Sequence, residues 1–194
     1  MAGAAPRARA RPLARPRVIG IDPGTRMAGY AIVDVPAPGR FEYVECGVLD
    51  LRHDGDLDAR LIELGKGFTE LLGEFEPGAL AIERAFHGLN AQSALKLAEA
   101  RGALKLLALQ AELIVHEYAP AMIKRAVVGR GRATKAEVQQ RVRLLCKLTS
   151  NPQPDAADAL AIAICHVQAS RLPNLPITKP IAKPLAKRRV ARRG

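Results

Sequence analysis

The sequence predicts an α/β domain on a five-stranded mixed sheet, three antiparallel strands followed by two parallel ones, flanked by helices. Two observations predict it. The first 50 residues hold three strand-like apolar segments joined by short turns, which is how antiparallel strands connect. Helical and strand periodicities then alternate along the rest of the chain, the pattern of parallel strands with crossover helices.

Val18-Ile19-Gly20-Ile21 is a short buried strand that runs into a turn at Asp22-Pro23-Gly24-Thr25. A second strand is expected over about 28–35, a turn from Pro36 to Gly39, and a third, loosely alternating strand over 41–49. Leu57, Leu61, Leu64, Phe68, Leu71, Leu72 and Phe75 recur at helical spacing, and Pro77-Gly78 ends that helix. Residues 79–83 form a short apolar strand ending in a carboxylate. Asn90 is the expected N-cap of a long helix to about Ala111, with Leu97, Ala100, Leu104, Leu107 and Ala111 on one face. A fifth strand is expected over 113–116, then helices near 120–127, 134–147 and 156–169. This order matches that of ribonuclease H-like folds.

The chain has 194 residues, enough for one domain with a sizeable core. Its net charge of +11 comes from the ends. Residues 1–17 hold Arg7, Arg9, Arg11, Arg15 and Arg17 without an acid, and residues 171–194 hold eight Lys and Arg without an acid. Residues 18–170 carry 17 basic and 19 acidic side chains, so the expected domain is nearly neutral. Both ends are rich in Ala, Pro and basic residues and are read as disordered arms. They either hold polyanions, with binding that weakens as salt rises, or only solubilise.

Cys46, Cys146 and Cys165 lack C-x-x-C spacing and fit reduced thiols of a cytoplasmic protein. No apolar run approaches the roughly 20 residues that span a bilayer. The N-terminus has neither the apolar stretch of a secretory signal nor the serines of a transit peptide.

Asp22 closes the first strand, Glu83 closes the fourth, and Asp155 and Asp158 stand three apart at the start of the last helix. Strand ends side by side with a helix start can bring four hard oxygen donors together, as two divalent ions about 4 Å apart require. Each piece also has an ordinary explanation. Asp22 before Pro-Gly is a common turn residue, and Glu83 can pair with a nearby Arg. Asp155 and Asp158 have the spacing of an N-cap and its N3 partner. Their joint occurrence at these points of one fold order favours a site.

The stretches Ile19-Gly20-Ile21-Asp22-Pro23-Gly24-Thr25, Ala81-Ile82-Glu83, Asn90-Ala-Gln-Ser-Ala-Leu-Lys-Leu97, Val127-Val128-Gly129 and Asn151-Pro-Gln-Pro-Asp-Ala-Ala-Asp-Ala-Leu160 closely resemble the RuvC family of Holliday-junction resolvases. The similarity covers about residues 18–168. It implies a homodimer that sets one metal site against each of two opposing strands of a four-way DNA junction. It also implies RuvA and RuvB, the branch-migration proteins, as partners. By resemblance Asp22, Glu83, Asp155 and Asp158 are the metal ligands. In relatives the first carboxylate of the helix pair can be His; here all four donors are oxygen, which favours Mg²⁺, or Mn²⁺ in its place, over Zn²⁺.

Residues 120–147 carry Lys124, Arg125, Arg130, Arg132, Lys135, Arg141, Arg143 and Lys147 against Glu137 alone. A charge run is commonly just a solvated face. Four carboxylates, however, would repel DNA without flanking cations. The resemblance gives Lys124 and Lys135 a grip on phosphate near the cut, or a role in steadying developing charge. Arg125, Arg130 and Arg132 join them as expected DNA contacts. Phe86 lies in a polar loop three residues after Glu83 and is expected to stack on an unpaired base, the alternative being a core ring. Leu89 departs from the family, whose members often carry a basic residue there, and His87 is read as a loop residue.

Two other functions compete. Gly20-Ile-Asp-Pro-Gly-Thr25 also resembles the first phosphate loop of sugar kinases and Hsp70-like ATPases. Those need two lobes, and Asp155 and Asp158 would go unexplained. A non-catalytic nucleic-acid-binding protein on the same fold predicts lost carboxylates, and all four are present.

Overall fold

The computed structural model describes residues 16–51, 56–84 and 91–170. Its elements are β1 (Arg17–Asp22), β2 (Met27–Ala37), β3 (Arg40–Asp50), α1 (Leu57–Phe75), β4 (Ala79–Glu83), α2 (Ala91–Gln110), β5 (Ile114–Tyr118), α3 (Pro120–Val128), α4 (Lys135–Leu145) and α5 (Pro154–Ala169). One sheet holds all five strands in the order β3-β2-β1-β4-β5. β1–β2 and β2–β3 pair antiparallel, while β1–β4 and β4–β5 pair parallel, as expected from the sequence. The fifth strand runs two residues beyond the expected stretch, because Glu117 and Tyr118 continue the ladder opposite Ile82 and Glu83.

Strand alternation divides the core into two layers. Ile19, Ile21, Ile32, Leu80 and Ile82 face α1 and α2, where they meet Leu64, Phe68 and Leu104. Val18, Ala31, Val33 and Ala81 face α5, which packs beside α3 and α4. α5 is apolar nearly all round, with eleven buried residues, because it lies between the sheet and those two helices.

α1 begins and ends as its periodicity predicts, capped by the Asp56 side chain on the Ala59 amide. α2 differs from its expected stripe. Arg101 is buried alongside Ala100, Leu104 and Ala108, whereas Ala111 lies past the helix end and is exposed. The expected N-cap, Asn90, lies outside the described residues, as do residues 1–15 and 171–194 of the basic ends. Arg17, expected in the first disordered arm, instead opens β1, where its Nε donates to Asp34 Oδ1 at 2.7 Å.

Candidate active site

β1 and β4 are parallel neighbours, paired as far as Ile21 with Ile82. Asp22 and Glu83 each stand one residue further on, so they sit side by side at the same end of the sheet. Alternation turns both toward the α5 face. The first turn of α5 is pressed against that end by two glycines. A methyl group on Gly29, the register partner of Asp22, would overlap the carbonyl oxygen of Asp155, and one on Gly20 would overlap that of Ala159. Only a residue without Cβ permits such close helix–sheet contact. Asp155 and Asp158 are thereby delivered to the strand ends.

The ordinary explanations of the four acids fare poorly. α5 opens at Pro154 with Gln153 as its N-cap and no side-chain cap, so Asp155 and Asp158 are helical residues rather than a cap pair. Glu83 has no ion pair among the described residues; the nearby Arg101 bonds Glu117 instead. The Asp22 carboxyl is pushed up to about 7, by burial first and then by Asp158, Glu83 and Asp155, with Lys135 opposing. A turn-forming Asp held by hydrogen bonds would move the other way. Glu83 is raised too, by burial and then Asp158, against the pull of Lys135, Arg101 and Lys124. The four carboxylates therefore share one field with too little positive charge.

Lys135 supplies part of the compensation. It is the first residue of α4, fixed there by a capping box in which the Glu137 amide donates to Thr134 Oγ1 at 3.3 Å and the Thr134 amide donates to Glu137 Oε2 at 2.8 Å. Its Nζ donates to Asp158 Oδ2 at 3.2 Å and stays largely exposed. Asp158, and more weakly Asp22 and Asp155, raise its pKa, so its charge is secure. Lys124 on α3 is half-buried and acts on Glu83 electrostatically. Arg125 and Arg132 are exposed, while Arg130 is engaged by Glu137. Phe86, His87 and Leu89 lie outside the described residues.

Chemically, the donor set suits a hard divalent cation: four carboxylates and no sulfur or imidazole. Its charge is also unbalanced in the sense that a cation would correct. Among the described residues, no three such side chains stand close enough together to hold a metal ion as placed.

Sequence reasoning missed two polar groups near this end. Arg101, Lys105 and Glu117 cluster on the α2 face of the sheet. On the α5 face, Tyr118 Oη and His166 Nδ1 are 2.8 Å apart, and His116 lies against the His166 ring at 4.4 Å between centroids. A signal was available. His116 and Glu117 sit in an otherwise apolar strand, and His166 follows the unbroken apolar run of residues 159–165 in its helix.

Comparison with known proteins identifies the family. The family model described as crossover junction endodeoxyribonuclease RuvC matches residues 18–166. The RuvC of Aeromonas salmonicida is 47% identical over 150 residues, covering 77% of this chain and 85% of that protein. That of Sodalis glossinidius is 47% identical over 154 residues, covering 79% and 88%. Among solved structures, Thermus thermophilus RuvC in complex with a Holliday junction substrate superposes with a TM-score of 0.74 at 32% identity, covering 80% of this chain and 95% of that one. The yeast mitochondrial Holliday junction resolvase Ydc2 shares the fold, with a TM-score of 0.58 at 16% identity over 81% and 80%. No helix among the described residues is long and apolar enough to cross a membrane. The chain belongs to the RuvC family of crossover junction endodeoxyribonucleases.

Proposed function

We propose that this junction-resolving endonuclease hydrolyses phosphodiesters at the Asp22, Glu83, Asp155 and Asp158 cluster, with two Mg²⁺ ions per site and Mn²⁺ able to substitute. The observation that carries the proposal is the raised Asp22 carboxyl: burial and three neighbouring acids leave negative charge that one lysine does not balance. Bound divalent ions would neutralise that charge and supply Lewis-acid polarisation at the scissile phosphate. The four carboxylates would hold them. Lys135, already charged and exposed beside Asp158, can turn to a phosphate oxygen and offset charge that develops there. Lys124, Arg125, Arg130 and Arg132, on and after α3, form the adjoining cationic surface for the DNA backbone. Phe86 stacks on a base opened at the junction centre.

A single site cuts one strand. Symmetrical nicking of two opposing strands calls for two copies, so the working form is a homodimer on four-way junction DNA. By the family resemblance it works with RuvA and RuvB, in the cytoplasm. The basic segments 1–15 and 171–194 add affinity that depends on salt, outside the nuclease domain, which Arg17 opens as the first residue of β1.

The test is cleavage of a four-way junction with and without Mg²⁺, for the native chain and for Asp22→Asn, Glu83→Gln, Asp155→Asn and Asp158→Asn. Each variant keeps side-chain shape and loses a charged ligand. Each should stop cutting while binding the junction as well as before or better, since repulsion of phosphate falls. Near-normal cleavage by any one of them removes that residue from the site.

A further inference from the structure

Tyr118 stands opposite Glu83 in the parallel β4–β5 register, and its carbonyl accepts from the Arg84 amide at 2.8 Å. The backbone that carries Glu83 is thus tied to Tyr118 just beyond the carboxylate. The Tyr118 ring points to the same face of the sheet, is 8% exposed, and lies with its hydroxyl 2.8 Å from His166 Nδ1 on α5. α5 is the helix whose first turn bears Asp155 and Asp158. His166 follows Asp158 by eight residues, about 12 Å along the axis.

α5 meets the sheet in two ways. Its N-terminal half rests on β1 and β2 through the close approaches at Gly20 and Gly29, which fixes it relative to Asp22. Those are van der Waals contacts on two strands, and toward β4 the helix packs on Ala81 by apolar contact as well. The Tyr118–His166 hydrogen bond is a directional contact to the β4–β5 edge, where Glu83 stands. His116, opposite Ala81 one row below, packs on the imidazole with the rings inclined by 43° and limits its rotation.

We propose that the Tyr118–His166 hydrogen bond is a positioning strut: it sets the tilt of α5 against the β4–β5 edge, and so sets how readily Glu83, Asp155 and Asp158 close on one divalent cation. The inference rests on the proposed reading of these carboxylates as ligands. It accounts for a buried polar bond beside an acidic site. Neither residue touches a metal or DNA in this role. Burial, and then His116, hold the His166 ring down to about 4, so it is neutral when the enzyme works. With its proton on Nε2, Nδ1 accepts from the Tyr118 hydroxyl.

The experiment measures Mn²⁺ affinity of the full-length, DNA-free protein by calorimetry or EPR, beside the Mg²⁺ dependence of junction cleavage. Tyr118→Phe removes one hydroxyl. It should weaken Mn²⁺ binding roughly 3- to 10-fold, on the order of 1 kcal/mol, and raise the half-saturating Mg²⁺ by a similar factor. Junction binding in EDTA and the rate at saturating Mg²⁺ should stay within about twofold. His166→Leu should match it. His166→Asn, whose Oδ1 falls near the place of Nδ1, should restore near-native affinity. This His166 pair carries the same test should Tyr118→Phe fail to fold.

Native Mn²⁺ affinity in Tyr118→Phe, whatever its melting temperature, would overturn the strut and leave only core packing. So would an Asn variant as weak as the Leu variant. Asp22→Asn is the control for the underlying reading. If it loses Mn²⁺ while Tyr118→Phe does not, the strut alone fails; if it keeps Mn²⁺, the ligand assignment fails and the strut with it.

Discussion

Glu83 and Glu117 stand one register position apart on neighbouring parallel strands and face opposite sides of the sheet. Both are partly withdrawn from water, yet their carboxyls shift in opposite directions. Glu117 is pushed up by burial, but the Lys105 hydrogen bond and charge, followed by Arg101 and Arg84, outweigh it and hold the group low. Lys105 Nζ lies 2.5 Å away and Arg101 Nη2 3.4 Å. Glu83 meets Asp158 where Glu117 meets cations, so burial is reinforced and the group is held high. The α2 face shows a carboxylate satisfied by its own fold. On the α5 face the fold assembles negative charge and leaves it uncompensated, at a cost in stability that only a ligand can offset. The contrast separates an acid satisfied by its own fold from one that its fold leaves unpaired, the kind the proposed site would use.

The largest effects should come from the α5 face. Asp22→Asn is expected to abolish cleavage and, in metal-free protein at neutral pH, to stabilise the fold by about 2–4 kcal/mol, read as a rise of several degrees in melting temperature. The sign follows from the raised carboxyl. A group whose folded pKa is near 7 rather than 3.8 costs stability increasingly as pH rises between those values. The gain from Asn should therefore be full at pH 8 and vanish by about pH 4. A variant less stable than native at pH 8 in EDTA would break the contrast.

Glu117→Ala tests the other face. It leaves Arg101 buried with Nη1 already lacking a partner among the described residues. Loss of a buried pair costs about 3–5 kcal/mol when fully enclosed; with Glu117 24% exposed, about 2–3 kcal/mol is expected. Because the folded carboxyl is depressed, the loss should be present at neutral pH and fade as pH falls below about 4. Cleavage at saturating Mg²⁺, measured well below the melting point, should remain. Abolished cleavage in a folded Glu117→Ala would make this a second part of the site and erase the distinction.

The smallest effect concerns His166. Its pKa is lowered to about 4 by burial and by His116, so the unfolded chain takes up a proton first as pH falls from about 6.5. Stability should drop by about 2 kcal/mol between pH 7 and 5 on this account, and His166→Asn should flatten that part of a pH–melting curve. An unchanged curve would mean the ring takes up its proton without disturbing the packing around it.

Much of this protein was legible in its sequence. Apolar periodicity set the order of strands and helices, because one buried face repeats every second residue in a strand and every three to four in a helix. Arg-rich, acid-free ends separated themselves from a nearly neutral middle by composition alone. The candidate acids were visible as carboxylates at element ends, and motif spacing tied them to one family. Which acids share a field was decided by the tertiary structure. Glu83 and Glu117 look alike in sequence, each a carboxylate in a short apolar strand, and only the parity of the pleat and the helix lying on each face give one Asp158 and the other Lys105. Asp155 and Asp158 read equally well as a helix cap until the helix was found to start before both. Arg101, His116, Tyr118 and His166 gave no periodic signal. Their meaning lies in contacts between residues 12 to 50 positions apart, and sequence patterns report the repeat of an element rather than which elements meet.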